Sequence, residues 1–138
     1  MRVDDMKDKI ALNAALLTSG RVLLALYFLL PGIMKFVSWE MHITLMAKHN
    51  MVMIPQLLAI AGVFQISAAI ALILNRYTFI VSLMLAGLVL VINVSLHDFW
   101  NYGGVEAAHE MQNFIKNLGI FAGLLVLAGH SRCAAQAE

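Results

Sequence analysis

Four long stretches of the chain are almost entirely apolar, and most polar residues gather between them. They run over residues 18–36, 55–74, 77–96 and 114–129, or about 113–130 with the polar flanks of the last. Each is close to the ~20 residues that a helix needs to cross a bilayer. Backbone groups in lipid must bond within their own segment, and barrel strands would alternate with a period of two. The pattern therefore predicts an all-α, four-helix transmembrane bundle.

The residues before the first stretch predict a short amphipathic lead-in. Between Met1 and Leu17, apolar positions such as Ile10 are mixed with the charged Lys7 and Lys9. Such a mixture suits a helix lying at the membrane interface. Because acidic residues accompany the bases and no small-residue cleavage signature follows the first stretch, we do not predict a secretory signal peptide.

Composition excludes several classes of protein. Hydrophobic residues make up 62% of the 138 positions and charged residues 12%, so a soluble fold of this size would expose large apolar patches. We predict a single domain, 1–138, whose first partner is the lipid bilayer. The net charge of +1 is too small, and its bases too scattered, to indicate nucleic acid as a partner. The single Cys133 excludes an internal disulfide and a Cys-x-x-Cys pair.

The distribution of lysine and arginine predicts the orientation of the bundle. Basic residues near the span ends tend to stay in the cytoplasm. Four crossings place both termini on one side, and the short Asn75-Arg76 connection on that side makes the second and third spans a tight antiparallel hairpin. That side holds Arg2, Lys7, Lys9, Arg21, Arg76 and Arg132, against Lys35, Lys48 and Lys116 on the other. We therefore predict cytoplasmic termini.

Some polar residues lie within the apolar stretches, where each costs free energy and needs a partner or a function. Lys35 closes the first stretch, just after Pro31 and Gly32. Gln65 lies ten positions past Pro55, near the middle of the second. The lysine could snorkel to the headgroups, and the glutamine could hydrogen-bond across the bundle. These structural alternatives stand beside a role in ligand binding.

Two further polar groups fall on the same membrane surface as Lys35. Asn93 and His97 are four positions apart on one helix face, and Asp98 and Trp100 follow directly. The start of the fourth stretch adds Asn113, Lys116 and Asn117. We predict that these helix ends form a polar pocket beneath aromatic residues; an ion pair that closes the bundle is the structural alternative.

The chemistry of this pocket centres on a histidine. A carboxylate beside an imidazole tunes it for proton transfer near neutral pH, and we expect Asp98 to do this for His97. The same region offers metal ligands, namely His97, Asp98, Glu106, His109 and Glu110. His109-Glu110 lacks the second histidine four positions from the first that a zinc-protease helix has, so we predict no metal site.

The order and spacing of these motifs resemble the DoxX family of four-helix bacterial membrane proteins. The likeness covers about residues 21–128. It rests on Arg21, Gly32-x-x-Lys35, a polar residue in the small-rich second span, His97-Asp98-Phe99-Trp100 and Phe114-x-Lys116-Asn117-Leu118. By position, the family's recurring polar set falls on Arg21, Lys35, His97, Asp98, Lys116 and Asn117. Family members often carry glutamate where this chain has Gln65, and that difference removes an ionisable group.

The resemblance implies a bacterial inner-membrane location and a link to redox physiology, because the family's namesake is a subunit associated with thiosulfate oxidation and a quinone acceptor. Our leading hypothesis is a subunit or accessory of a redox system that binds quinone near the outer leaflet. His97 and Lys116 would hydrogen-bond the ring oxygens, and Asp98 would orient His97. The alternative is a non-catalytic assembly subunit that packs against other subunits, or another copy, through Gly119-x-x-x-Gly123.

Overall fold

The computed structural model describes residues 3–136, and this part of the chain is a bundle of α-helices without strands. Helix α1 spans Val3–Val37, α2 Trp39–Lys48, α3 Ile54–Ile73, α4 Thr78–Leu96 and α5 Gly104–Gln136, with a 3₁₀ turn at Phe99–Asn101. Helices α1, α3, α4 and α5 are long and apolar enough to cross a membrane. The prediction of an all-α, four-span bundle is confirmed.

The predicted amphipathic lead-in is part of helix α1 rather than a separate helix. It runs without a break through 35 residues, which is about 52 Å and much longer than a ~30 Å hydrocarbon core. Pro31 lies inside it near its end. Every side chain described before Arg21 is exposed, so the first part of α1 extends beyond the packed bundle.

Two other helices differ from the sequence-based boundaries. The stretch between the first two spans, expected as a loop, contains α2. Its Trp39, Ile43 and Met46 repeat at helical spacing, but His42 and Lys48 break the apolar pattern. Helix α5 begins at Gly104, well before the start near residue 113 that the sequence predicted. The apolar pattern did not reveal this start because the first turns of α5 are polar. Gly104 has a φ of +61°, a backbone conformation that suits glycine.

The helices pack in pairs that the connections alone do not reveal. Helix α1 packs most extensively against α3, and α4 against α5. The tight turn between α3 and α4, where Asn75 and Tyr77 have positive φ, joins two helices that contact each other much less. The predicted short connection between α3 and α4 is present, but each of the two helices packs mainly on a different neighbour, α3 on α1 and α4 on α5.

The bundle has two different ends. We call the end that carries the α3–α4 turn the terminal end, and the end that carries α2 the α2 end. The shared apolar core extends toward the terminal end and includes Ala25, Ala69, Leu72, Leu85 and Leu124. Arg21 Nη1 donates a hydrogen bond of 2.8 Å to the Leu72 carbonyl in the last turn of α3, which also accepts from the Asn75 backbone N–H at 3.1 Å. An apolar groove of about 550 Å³ lies between α1 and α5 on this side, but the more enclosed and more polar cavity lies at the α2 end.

Close approach of α1 and α3 depends on Gly32. A Cβ added there would lie 3.0 Å from Ile66 Cγ1 and 3.3 Å from the Ile66 backbone nitrogen, which cannot move aside. We expect Gly32→Ala to lower the free energy of unfolding by about 1–2 kcal/mol, measured by thermal unfolding in detergent. Gly119→Ala is the matched control, because nothing lies within 4 Å of its added Cβ. Equal effects of the two substitutions would contradict this account.

Candidate functional site

A cavity of about 670 Å³ occupies the α2 end of the bundle, between the α1–α3 pair and the α4–α5 pair. Its walls are mostly apolar and include Phe28, Leu58, Phe64 and Val89. All five helices contribute. The polar side chains that line it are Tyr27, Lys35, His42, Gln65, Ser95, His97, Glu110, Asn113 and Asn117.

A chain of hydrogen bonds fixes one wall of the cavity. The Tyr27 hydroxyl donates to Asn117 Oδ1 at 2.8 Å, and Asn117 Nδ2 donates to Asn93 Oδ1 at 2.8 Å. Asn93 Nδ2 completes the chain by donating to the Phe114 carbonyl at 3.1 Å. Asn93 and Asn117, both singled out from the sequence, are thus brought together and buried. Their bonds join α1, α4 and α5 and orient the wall.

His97 is paired with a carboxylate, but not with the expected one. Its Nδ1 lies 2.7 Å from Glu110 Oε2, across the α4–α5 connection. Asp98 instead lies 3.0 Å from His49 Nδ1 and accepts a 2.6 Å hydrogen bond from Asn101. The expectation that Asp98 orients His97 is wrong, because α4 ends at Leu96 and the turn that follows directs Asp98 toward α2.

An ion pair and a close histidine–carboxylate contact hold α2 against the α4–α5 connection. Lys48 pairs with Glu106, and His49 pairs with Asp98. The hydrogen bond that Lys48 donates to the Glu106 carboxylate raises the pKa of Lys48 above its usual value. Tyr102 lies between these pairs, with its ring centroid 6.0 Å from that of His49 and 5.1 Å from Lys48 Nζ. His42 and Met46 of α2 line the cavity, so these contacts keep its cover in place.

Two of the predicted site residues lie deeper in the cavity wall. Gln65 is only 3% exposed, and among residues 3–136 no partner satisfies its Oε1. Lys35 is partly buried and lines the cavity, and no ion pair to it is present in the described part of the chain. Within the described residues, neither the Gln65 side-chain oxygen nor the Lys35 ammonium thus has a partner that would offset the free-energy cost of burying it.

Two other predicted site residues lie outside the cavity. Trp100 is 54% exposed and packs on Phe99 and Phe114, with ring centroids 5.2 and 6.2 Å away. Lys116 is exposed and does not line the cavity, because it points away from the α5 face that carries Asn113 and Asn117. The expected meeting of Lys35, His97, Asp98 and Lys116 is therefore wrong: Lys35 and His97 share the cavity, and the other two do not.

The sequence reasoning did not assign Tyr27, His42 or Glu110 to the site. For Glu110 a signal existed, because Glu110, Asn113 and Asn117 repeat at three and four positions and so share a helix face. Because α5 was expected to begin near residue 113, Glu110 was not placed on that helix face. His42 was missed because the stretch that forms α2 was expected as a loop, so its side chain was not placed on a helix face.

The possible metal ligands do not converge. Within the described residues, no group of three or more histidine, cysteine, aspartate or glutamate side chains is arranged to hold an ion. The five residues considered from the sequence are instead divided: Glu110 faces His97, Asp98 faces His49, and Glu106 faces Lys48. His109 Nδ1 lies 3.4 Å from Asn113 Nδ2.

The Asn93–Asn117 hydrogen bond should be measurable as a coupling. We expect Asn93→Val and Asn117→Val each to destabilise the bundle, since each leaves a buried amide group unpaired. Combining them should cost less than the sum, with a coupling of about 0.6–1.7 kcal/mol, measured by a double-mutant unfolding cycle. Asn93→Val with Gly119→Ala serves as the uncoupled control pair. Additive effects of the two valines would show that the amides do not bond.

Comparison with known proteins agrees with this architecture. The sequence model of the DoxX family matches residues 16–98, more than half of the chain. Inner membrane protein YphA of Escherichia coli (strain K12) is 30% identical over 119 residues, which cover 86% of this chain and 84% of that protein. No solved structure matches significantly. The chain therefore belongs to the DoxX family and is a helical membrane protein.

Proposed function

We propose that this chain binds a quinone-type molecule in the cavity and serves as a membrane subunit or accessory of a redox system. The observation that carries the proposal is the cavity itself, which combines apolar walls with Lys35, His42 and the His97–Glu110 pair near one end. Its volume lies in the ~300–1,000 Å³ range of small-molecule sites. A quinone ring with part of its apolar tail fits that description.

The polar groups suit the two oxygens of such a ring. The Lys35 ammonium supplies a hydrogen-bond donor that no described side chain occupies. Glu110 holds the His97 imidazole through Nδ1 and leaves the second ring nitrogen for the ligand. A histidine backed by a carboxylate is suited to exchange protons with a ring oxygen as its charge changes.

Electrons would come from another protein. Iron–sulfur clusters are held by several cysteine thiolates, and this chain has one cysteine. A site that binds quinone without its own electron carrier needs a redox partner within electron-transfer distance. This requirement supports the role of subunit or accessory.

A second candidate function is assembly of a larger membrane complex. Gly87 and Gly119 both face open space, with nothing within 4 Å of an added Cβ, so neither is used for packing within the chain. Small residues on exposed helix faces allow other helices to approach closely. Gly123, by contrast, lies 3.8 Å from Leu24 and packs internally. A mass measurement of the intact complex extracted from native membranes would test this role.

The quinone proposal predicts a difference between two lysines. We expect Lys35→Met to weaken binding of a short-tailed quinone about tenfold, because it removes a hydrogen-bond donor from the cavity. Lys116→Met is the matched control and should leave affinity unchanged. Equilibrium binding to purified protein in lipid nanodiscs measures both. Absence of binding to the unsubstituted protein, or equal losses in the two variants, would contradict the proposal.

We also propose that the chain lies in a bacterial inner membrane with both termini in the cytoplasm, as the lysine and arginine distribution indicates. Cys133 is free and exposed near the end of α5. A thiol reagent that cannot cross membranes should therefore label it in inverted vesicles and not in intact spheroplasts. The opposite labelling would reverse the orientation.

A further inference from the structure

We propose that the cavity binds the reduced, hydroxyl-bearing form of its ligand, a hydroquinone, more tightly than the oxidised quinone. This inference rests on the proposed function and concerns which redox form is preferred. It follows from three side chains that line the cavity, His42, His97 and Gln65, because each offers a hydrogen-bond acceptor that no described group uses.

His42 provides the clearest acceptor. Its Nδ1 lies 2.8 Å from the Ser38 carbonyl oxygen, which has no proton to give. Nδ1 must therefore carry the hydrogen, and in a neutral imidazole the other nitrogen, Nε2, is then an acceptor. His42 lines the cavity, and no group in the described part of the chain donates to this nitrogen.

His97 also has its hydrogen on Nδ1, but its partner is a carboxylate rather than a backbone carbonyl. Its Nδ1 lies 2.7 Å from the Glu110 carboxylate, which accepts the hydrogen on that nitrogen. In the neutral ring, Nε2 again holds only a lone pair. Two histidines, one from α2 and one from the end of α4, thus line one cavity, each with Nδ1 engaged and Nε2 free to accept.

Gln65 adds a third acceptor on the α3 wall. Its side-chain oxygen is hidden from solvent and has no hydrogen-bond donor among the described residues. A buried acceptor without a donor lowers stability, and a ligand hydroxyl that donates to it would remove that cost. A quinone carbonyl would not, because it has no hydrogen to donate.

The two redox forms therefore make different hydrogen bonds with the cavity walls. The Lys35 ammonium can donate to the oxygen of either form, so it does not distinguish them. The hydroquinone also donates two hydrogens to the acceptors on the walls, whereas the quinone places its own lone pairs against theirs. With each net hydrogen bond contributing modestly, we expect about a tenfold preference for the hydroquinone. For a two-electron couple, this raises the midpoint potential of the bound ligand by about 30 mV.

The experiment compares three ligands on the full chain in lipid nanodiscs under anaerobic conditions. They are a short-tailed hydroquinone, its quinone and its dimethyl ether, which keeps the ring but lacks both hydroxyl hydrogens. We expect the hydroquinone to bind about tenfold more tightly than either of the others. His42→Phe should reduce this preference to threefold or less, while His130→Phe, at the opposite end of the bundle, should leave it unchanged.

The outcomes separate this inference from the proposed function. If the quinone binds as tightly as the hydroquinone, or the dimethyl ether does, the preference is refuted while quinone-type binding stands. If none of the three ligands binds, the proposed function itself fails. Should His42→Phe not fold, Gln65→Met gives the same test, with the exposed Gln56→Met on the same helix as its control. An undiminished preference in the cavity variant would also overturn the inference.

Discussion

The free-energy cost of an unpaired polar group in lipid governs this bundle. Water cannot satisfy an amide in the hydrocarbon region, so side chains there must bond to one another. The chain from Tyr27 through Asn117 and Asn93 to the Phe114 carbonyl meets this demand, because each donor in it has an acceptor on another helix or turn. These bonds fix how α1, α4 and α5 face one another. The cavity wall is therefore a by-product of satisfying buried amides.

Pairwise packing explains why a cavity exists at all. Close approach at Gly32 draws α1 onto α3, and α4 packs on α5, so the two pairs can separate toward the α2 end without breaking either interface. At the terminal end, Ala25 and Ala69 let the pairs meet in a common core. Contacts of His49 and Lys48 then hold α2 across the open end. The same small-residue contacts that stabilise the fold thus leave room for a ligand.

The sequence alone predicted the four spans and the polar end of the bundle, because apolar runs and their interruptions are local features. Pairings across the chain were harder. Two carboxylates compete for His97, and proximity along the chain favoured Asp98, whereas the turn after Leu96 brings Glu110 to it. Lys116 was misplaced for a similar reason, since a shift of one position on a helix turns a side chain by about 100°. Such choices depend on where helices begin and how they pair.

Lys35 remains the residue whose presence stability does not explain. Three carboxylates at the α2 end of the bundle already have basic partners: Glu110 contacts His97, Asp98 contacts His49, and Glu106 contacts Lys48. A partly buried ammonium without an anion costs more than an apolar side chain of similar volume would. Snorkelling would reduce that cost by extending the chain to the headgroups, yet Lys35 lines the cavity. An acceptor that enters with a ligand would offset the cost, and the lysine then contributes to binding rather than to folding.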